Sequence, residues 1–226
     1  MNFYIPPTLS QDFEEMLNIP GFGTQVTINP NLSATPIQTI VQLSNPKFKT
    51  NYQNITDNSL ILRFKLLDDI RKGDYLVTKD KVTYLITWQP FKDINSYKSQ
   101  CQLCNTSLDF EVWEDSVLDN DTGEVTTSAG YSSVAENIKC FTVKNSMGVF
   151  GSGVGEIGIV PQGRLLIGTQ FNNETVKIKV GNEFSYHGVQ YKITNLDYSQ
   201  LEDDQENGCL VLYTEQLEGG RKVASV

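Results

Sequence analysis

Apolar and polar residues alternate over short stretches of the chain, and polar segments with glycine or proline separate these stretches. A period of two places every second side chain on one face of an extended strand. Strands are predicted over Thr24–Ile28, Pro36–Ser44, Ser59–Leu67, Tyr75–Thr78, Val82–Trp88, Gln100–Asn105, Thr106–Trp113, Ile138–Val143, Arg164–Thr169, Thr175–Val180 and Cys209–Thr214. Ser10–Leu17 predicts a short helix, capped by Ser10 and ended by Pro20-Gly21. The predicted class is all-β with a short N-terminal helix.

The stretch Ile70–Trp88 predicts a β-hairpin. Its two strands are rich in β-branched and aromatic residues, which favour a pleated backbone. Gly73-Asp74 allows a tight entry, and the charged turn Lys79-Asp80-Lys81 stays in water.

The stretch Ile178–Thr194 repeats this hairpin near the other end of the chain. The matches are Gly73 with Gly181, Tyr75-Leu76 with Glu183-Phe184, and Tyr84–Thr87 with Tyr191–Thr194, with the first turn one residue longer. A further strand follows each copy after a polar interval, Thr106–Trp113 in the first and Cys209–Thr214 in the second. The repeat predicts two related small β-barrel or sandwich modules.

The predicted boundary between the modules lies near residue 135. Asp119–Glu124 has turn chemistry, and Val125–Ser133, with its Ser, Thr and Gly residues, is the best linker candidate. The modules are therefore predicted as residues 1–134, which include an N-terminal arm, and residues 135–226. Asn45–Asn58 and Gln89–Ser99 are predicted as polar loops.

The charge balance excludes proteins that grip nucleic acid. Eighteen basic residues stand against 27 acidic ones, which gives a formal charge of −9 and a pI near 4.6. A protein that binds DNA or RNA replaces phosphate counterions with Lys and Arg, and the sequence contains no basic cluster.

The N-terminus and the cysteines indicate where the chain is made. Met1–Pro7 lacks the basic start and apolar core of a signal peptide, and no apolar run approaches the length of a membrane span. Four cysteines are too few for a disulfide framework in a chain of 226 residues. We expect synthesis in a reducing cytoplasm and no membrane partner.

Three motifs have parts of a ligand site. Cys101-Gln-Leu-Cys104 has the spacing of half a zinc site, but no second close pair accompanies it, and Cys140, Cys209 and His187 are isolated. Gly153–Gly158 matches the dinucleotide fingerprint, yet Ile159-Val-Pro161 follows where a helix is needed. Asp119–Glu124 begins like a calcium loop, but its glycine comes one position early and the distal acid is missing. No metal and no cofactor are predicted.

Catalytic groups are similarly incomplete. His187 is the only histidine, and no neighbouring residue in the sequence orients it. Glu111, Glu114 and Asp115, like the acids in Glu202–Glu206, flank turns and indicate a solvated acidic rim. No catalytic residue is predicted, and we expect a protein that is not an enzyme. Trp88, Trp113, Tyr84 and Tyr191 occupy matching or end-of-strand positions typical of core aromatics, with a sugar-binding platform as the alternative.

Several of these stretches together resemble a known family. Ile70–Leu76, Tyr84–Thr87 and Ser99–Asn105 look like the head-tail connector or head-closure proteins of tailed bacteriophages from Gram-positive hosts. In that family an Arg-Gly-Asp-Tyr hairpin leads to a Cys-Asn strand on a small β-barrel. The second copy, Gly181–Asp197, is similar to the module that recurs in the group, although Asn182 stands where the first copy has Asp74.

The resemblance implies a structural virion subunit in the neck of the particle. It implies a homo-oligomeric ring of twelve or six copies that contacts the portal protein and tail or neighbouring connector proteins and seals the DNA channel. DNA would pass through without sequence-specific binding, because an acidic lumen repels phosphates. The alternatives are a tail or baseplate module that binds host-surface carbohydrate through Trp88 and Trp113, and a hydrolase that depends on His187.

Overall fold

The computed structural model describes residues 7–30, 35–45, 58–66, 68–118, 125–143, 164–201 and 207–217. This part of the chain is mostly β with a short helix before the first strand, as the sequence predicts. The elements are α1 (Pro7–Leu17), β1 (Thr24–Asn29), β2 (Ile37–Ser44), β3 (Ser59–Phe64), β4 (Tyr75–Thr78), β5 (Thr83–Ile86), β6 (Phe91–Lys92), β7 (Tyr97–Leu103), β8 (Thr106–Glu114), β9 (Val117–Leu118), β10 (Val125–Thr127), β11 (Gly130–Val143), β12 (Leu166–Gln170), a 3-10 helix (Thr175–Lys177), β13 (Glu183–Tyr186), β14 (Val189–Asp197) and β15 (Cys209–Gln216).

Strands β1 to β7 form the first barrel. The order β3-β2-β1-β4-β5-β7 closes on itself because β3 also pairs with β7, and all neighbours are antiparallel. The short strand β6 pairs with β7 at one side of this ring. The core contains the buried residues Val26, Ile28, Val41, Leu62, Phe64, Ile70, Leu76, Ile86 and Cys101.

The second barrel consists of β8 and β11 to β15, closed in the order β11-β12-β15-β14-β13-β8. Phe184 stands at the centre of its aromatic core, stacked on Tyr191 at 5.5 Å and tilted against Phe110 at 5.4 Å between ring centroids. Such pairs add to the hydrophobic stabilisation from burial. The other buried members are Leu108, Ala135, Ile138, Cys140, Leu165, Ile167, Ile178, Ile193, Leu210 and Leu212.

The two barrels have the same topology. In each, the first three strands are neighbours in chain order, the third strand lies beside the sixth, and the fourth closes the ring on the first. Strands β1, β2, β3, β4, β5 and β7 therefore correspond to β8, β11, β12, β13, β14 and β15. This shared order confirms the prediction of two related β-barrel modules.

The repeated glycine lies two residues before the fourth strand of each barrel and has the same geometry in both. Gly73 has φ of 90° and Gly181 has φ of 97°, a conformation that favours glycine. The Gly73 N–H donates to the Ile86 carbonyl at 2.8 Å, and the Gly181 N–H donates to the Ile193 carbonyl at 2.9 Å. The hairpin registers also agree, since β4 and β13 pair with β5 and β14 at matching positions.

The chain crosses from the first barrel to the second at Cys104-Asn105. Strand β8 pairs with β11 and belongs to the second barrel, so the prediction that it is the first module's counterpart of Cys209–Thr214 is wrong. That place is taken by β7, which pairs with β5 as β15 pairs with β14. Residue 135, where the sequence places the module boundary, lies inside β11, and Val125–Ser133 forms β10 and the start of β11.

Three local predictions are also wrong. Helix α1 begins at Pro7, because proline suits a first helical turn, so Ser10 lies inside the helix and not at its cap. The predicted loop Gln89–Ser99 contains β6 and the start of β7, because two residues are too few to alternate visibly. The predicted strand Thr175–Val180 begins as a 3-10 helix, in which the Thr175 hydroxyl donates to the Gln170 carbonyl at 2.8 Å.

The barrels pack against each other through a third apolar cluster. The first barrel contributes Leu85, which is fully buried, and the partly buried Tyr75. The facing residues are Phe141, Val143, Leu166, Cys209 and Val211 of the second barrel, with Cys104 at the crossing.

Hydrogen bonds and a close glycine contact fix the orientation of the barrels. The Tyr75 hydroxyl bonds the Lys139 carbonyl, lies 2.9 Å from Thr169 Oγ1, and accepts the Gln170 N–H at 3.2 Å. A Cβ placed on Gly73 would lie 2.1 Å from the Gly208 carbonyl oxygen, so the two backbones touch at a position where only glycine fits.

Candidate functional site

The four cysteines lie in apolar surroundings and are divided among three clusters. Cys101 belongs to the first core, Cys140 to the second, and Cys209 with the half-buried Cys104 to the cluster between the barrels. Burial raises the pKa of Cys101, Cys104 and Cys209 to about 12 and also raises that of Cys140. Among the described residues, no group of three or more His, Cys, Asp or Glu is placed to hold a metal ion. The thiols act as small core residues.

His187 lies in the turn between β13 and β14. Its φ is 50° and that of Gly188 is 77°, as a two-residue hairpin turn requires. The exposed imidazole packs edge-on against the Tyr186 ring, with centroids 4.2 Å apart. The structure therefore explains His187 as a turn residue and brings no catalytic group to it within the described residues.

Several sequence motifs lie outside the described residues. These are the glycine motif Gly153–Gly158, the calcium-like segment Asp119–Glu124, the acidic run Glu202–Glu206 and most of the predicted loop Asn45–Asn58.

The two tryptophans lie on different barrels and do not form a common platform. Trp88 follows β5 in the first barrel, and its indole nitrogen is buried without a hydrogen-bond partner among the described residues. Trp113 in β8 contacts Tyr131 edge-on at 5.1 Å, and its Nε1–H donates to Asp115 at 2.8 Å. Tyr84 and Tyr191, which occupy matching positions, pack against the first and second cores as core aromatics.

A two-stranded ribbon extends the second barrel, and the sequence did not predict it. We define the ribbon as residues 112–118 paired with residues 125–133, which includes the ends of β8 and β11 together with β9 and β10. Beyond Glu111, which lies opposite Glu183, β8 has no further pairing with β13 among the described residues. Val117 and Val125 are 56% and 58% exposed on this ribbon.

Side-chain contacts hold the base of the ribbon. The Tyr131 hydroxyl donates to the buried Glu183 carboxylate at 2.7 Å. The Ser132 hydroxyl donates to Glu114 at 3.0 Å across the two strands. Glu114 of the predicted acidic rim therefore links the two strands of the ribbon, whereas Glu183, which was not part of that prediction, fixes the ribbon to the barrel.

A second unpredicted surface lies around β6 in the first barrel. We define the β6 patch as Arg63, Phe91, Lys92, Ile94 and Lys98. Phe91 and Ile94 are 48% and 66% exposed, and the Lys98 ammonium lies 5.9 Å from the Phe91 ring centroid. Arg63 pairs with Asp93 at 3.3 Å, so the patch combines apolar side chains with an excess of positive charge.

A shallow groove of about 380 Å³ borders this patch, and its wall includes Gln89, Pro90 and Tyr97. Its carboxylates are already engaged. Asp68 accepts the Thr39 hydroxyl at 2.7 Å, and Asp69 pairs with Arg71 at 3.1 Å. Because both carboxylates are engaged, we interpret the groove as a recess beside β6 and not as a separate ligand site.

The sequence contained one signal for the β6 patch. Phe91 and Ile94 are large apolar residues inside a segment that otherwise has loop composition. The ribbon gave a weaker signal, because Ser, Thr and Gly dominate Val125–Ser133 as they dominate linkers.

Comparison with known proteins finds one similarity, which covers most of the second barrel. Residues 112–215 match the family model of the YomX C-terminal domain, a phage-associated family whose namesake comes from a Bacillus prophage. The match starts at the ribbon and ends in β15. No curated protein and no solved structure matches the chain. Within the described residues, no helix has the length and apolar character needed to cross a membrane.

Proposed function

We propose that this chain is a structural virion protein of a tailed phage, located in the connector between portal and tail. The match of residues 112–215 to a phage-associated domain carries the proposal. Two closed barrels joined by an apolar interface suit a building block that must keep its shape under load.

The surfaces of the protein support a role in assembly. The ribbon and the β6 patch expose large apolar side chains beside charged ones, a composition typical of protein interfaces. The formal charge of −9 suits a ring through which DNA passes, since acidic walls repel the phosphate backbone. A ring of this protein with a basic lumen would contradict the assignment.

Purified particles of the phage that encodes the chain provide the test. We expect the protein to be present in many copies per particle and to be labelled by antibody at the neck in electron micrographs. Particles made without it should accumulate as filled or leaking heads beside separate tails. Absence of the protein from complete particles would refute a virion role altogether.

A tail or baseplate module that binds host carbohydrate is the second candidate. The half-buried Trp113–Tyr131 pair, with Asp115 on the indole, favours it because sugar sites often combine aromatic rings with carboxylates. In that case the antibody should label the distal tail, and Trp113 fluorescence should shift when host cell-wall glycans are added. Trp113→Phe should abolish that shift, whereas Trp88→Phe should preserve it.

A further inference from the structure

We propose that the ribbon of one copy binds the β6 patch of the next copy in a head-to-tail contact. This inference rests on the proposed role as an assembly subunit and names the surfaces that join the subunits. The occupant of the β6 patch is therefore a second copy of this chain.

The apolar side chains of the two surfaces are exposed to a similar degree. Val117 and Val125 on the ribbon are more than half exposed, as is Ile94 on the patch, and Phe91 is 48% exposed. Burial of such side chains supplies most of the free energy of protein association. Each surface is exposed in the single chain, so the ribbon and patch of one copy do not cover each other.

The charges of the two surfaces are opposite. The described ribbon contains Glu114 and Asp115 and has no Lys or Arg. The β6 patch contains three basic residues, of which Arg63 pairs with the neighbouring Asp93. The two carboxylates of the bordering groove, Asp68 and Asp69, bond to Thr39 and Arg71. Complementary charges steer encounter and select the partner, whereas two ribbons or two patches would repel each other.

The backbone at both surfaces also favours contact. In the described part of the chain β6 pairs with β7 alone, so its other edge lacks a strand partner. An exposed edge binds an added strand through main-chain hydrogen bonds. Strand β10 belongs to a narrow two-stranded ribbon that can reach such an edge.

The base of the ribbon is already ordered before association. The contacts of Tyr131 with Trp113 and Glu183 fix its direction relative to the barrel. A preformed ribbon loses less conformational entropy on binding than a loose loop. Since the two surfaces differ and lie on different barrels, head-to-tail repetition of the contact produces a ring or an open filament.

Paired surface variants of the full chain test the contact. The patch variant carries Phe91→Ser with Ile94→Ser, and the ribbon variant carries Val117→Ser with Val125→Ser. In sedimentation velocity we expect wild type to form assemblies and each variant to associate at least about tenfold more weakly. A mixture of the two variants should form a 1:1 dimer with wild-type affinity, because one intact patch meets one intact ribbon.

A matched control carries Val176→Ser with Val180→Ser, two valines of similar exposure at 51% and 57% near the 3-10 helix. It should assemble as wild type, and all variants should keep the wild-type circular dichroism spectrum. Rising salt should weaken the wild-type assembly, because the charges are exposed.

Three results would overturn the contact: a monomeric wild type, surface variants that assemble normally, or two weakened variants that fail to pair when mixed. None of these results contradicts the proposed role in the particle, since the antibody experiment tests the location of the protein independently. A protein absent from particles but competent in the mixing experiment would instead remove the proposed function and leave the contact.

Discussion

At the scale of single residues, the repeated glycine has a different task in each barrel. Gly73 combines a positive φ with direct contact to the Gly208 backbone, whereas Gly181 has the same φ and only the flexible end of Lys192 at 4.0 Å. The conformational requirement is therefore shared, and the close approach is specific to the first copy.

Alanine substitution should separate these two requirements. Gly181→Ala should destabilise the protein by about 1–2 kcal/mol, the cost of a left-handed backbone for a residue with Cβ. Gly73→Ala should cost several kcal/mol more, because its Cβ would lie 2.1 Å from the Gly208 carbonyl oxygen. Urea unfolding measures both values, and Gly130→Ala, which has open space around it, serves as the control. Equal losses for Gly73→Ala and Gly181→Ala would contradict the close approach.

The buried thiols make stability depend on alkaline pH. Burial raises the pKa of Cys101 to about 12, whereas an unfolded thiol titrates near about 8.5. The folded chain then keeps a proton that the unfolded chain releases. The contribution of the buried thiol to the free energy of unfolding is fully present below about pH 8.5. It is lost as pH rises toward 12, by up to about 1.4 kcal/mol per pH unit.

Cys101→Ser should reduce this pH slope of the free energy of unfolding, measured by urea titrations from about pH 8 to about pH 11. The second barrel offers a matched control. Thr214 occupies the corresponding strand position, and its hydroxyl donates to the Leu165 carbonyl at 3.0 Å, as the Cys101 thiol donates to the Leu60 carbonyl at 3.7 Å. Thr214→Ser removes no titratable group and should keep the wild-type slope. An unchanged slope in Cys101→Ser would show that the thiol does not carry the effect.

At the scale of elements, both hairpins use one side-chain device at their entry. Asp74 accepts the Arg71 N–H at 2.8 Å, and Asn182 accepts the Lys179 N–H at 2.6 Å. The next residue differs between the two copies. The Tyr75 side chain hydrogen-bonds to the second barrel, and the Glu183 side chain accepts a hydrogen bond from the ribbon. The same hairpin thus supports an interface in one copy and a projection in the other.

Because Asn fills this role in the second copy, Asp74→Asn should change the free energy of unfolding by less than about 1 kcal/mol, while Asp74→Ala should lose about 1–3 kcal/mol. Chemical denaturation monitored by circular dichroism gives both values. Asp69→Ala, which removes only an exposed partner of Arg71, is the control and should lie within about 1 kcal/mol of wild type. A loss for Asp74→Asn as large as that for Asp74→Ala would mean that the hydrogen bond alone is insufficient and that the charge itself matters.

Elements fixed by burial could be predicted from the sequence. Strand β4, Tyr75–Thr78, has the predicted bounds because its alternation reflects one face against the core. Val125–Ser133 could not be predicted, since the ribbon lies largely in solvent and shows no hydrophobic period. The barrel to which β8 belongs is determined by its pairing with β11, a long-range contact that the local sequence pattern does not encode. The β6 patch depends likewise on where β6 joins the sheet.

At the scale of the whole molecule, the interface between the barrels should make them unfold together. Leu85 is fully buried among Phe141, Leu166 and Val211 of the other barrel. Cores of this kind tolerate cavities poorly, and Leu→Ala replacements typically cost about 2–5 kcal/mol. Leu85→Ala should therefore weaken the coupling between the barrels as well as the first barrel itself.

The two tryptophans report on the barrels separately, since Trp88 lies in the first and Trp113 in the second. In Trp113→Phe and Trp88→Phe backgrounds, fluorescence-monitored urea unfolding should give the same midpoint in both, because a cooperative unit loses all its structure at once. Adding Leu85→Ala should separate the midpoints, whereas Leu60→Ala, a partly buried residue of the first core, should lower both together. Separate midpoints with Leu85 intact would mean that each barrel is stable alone, and a subunit built in that way would transmit no strain from its patch to its ribbon.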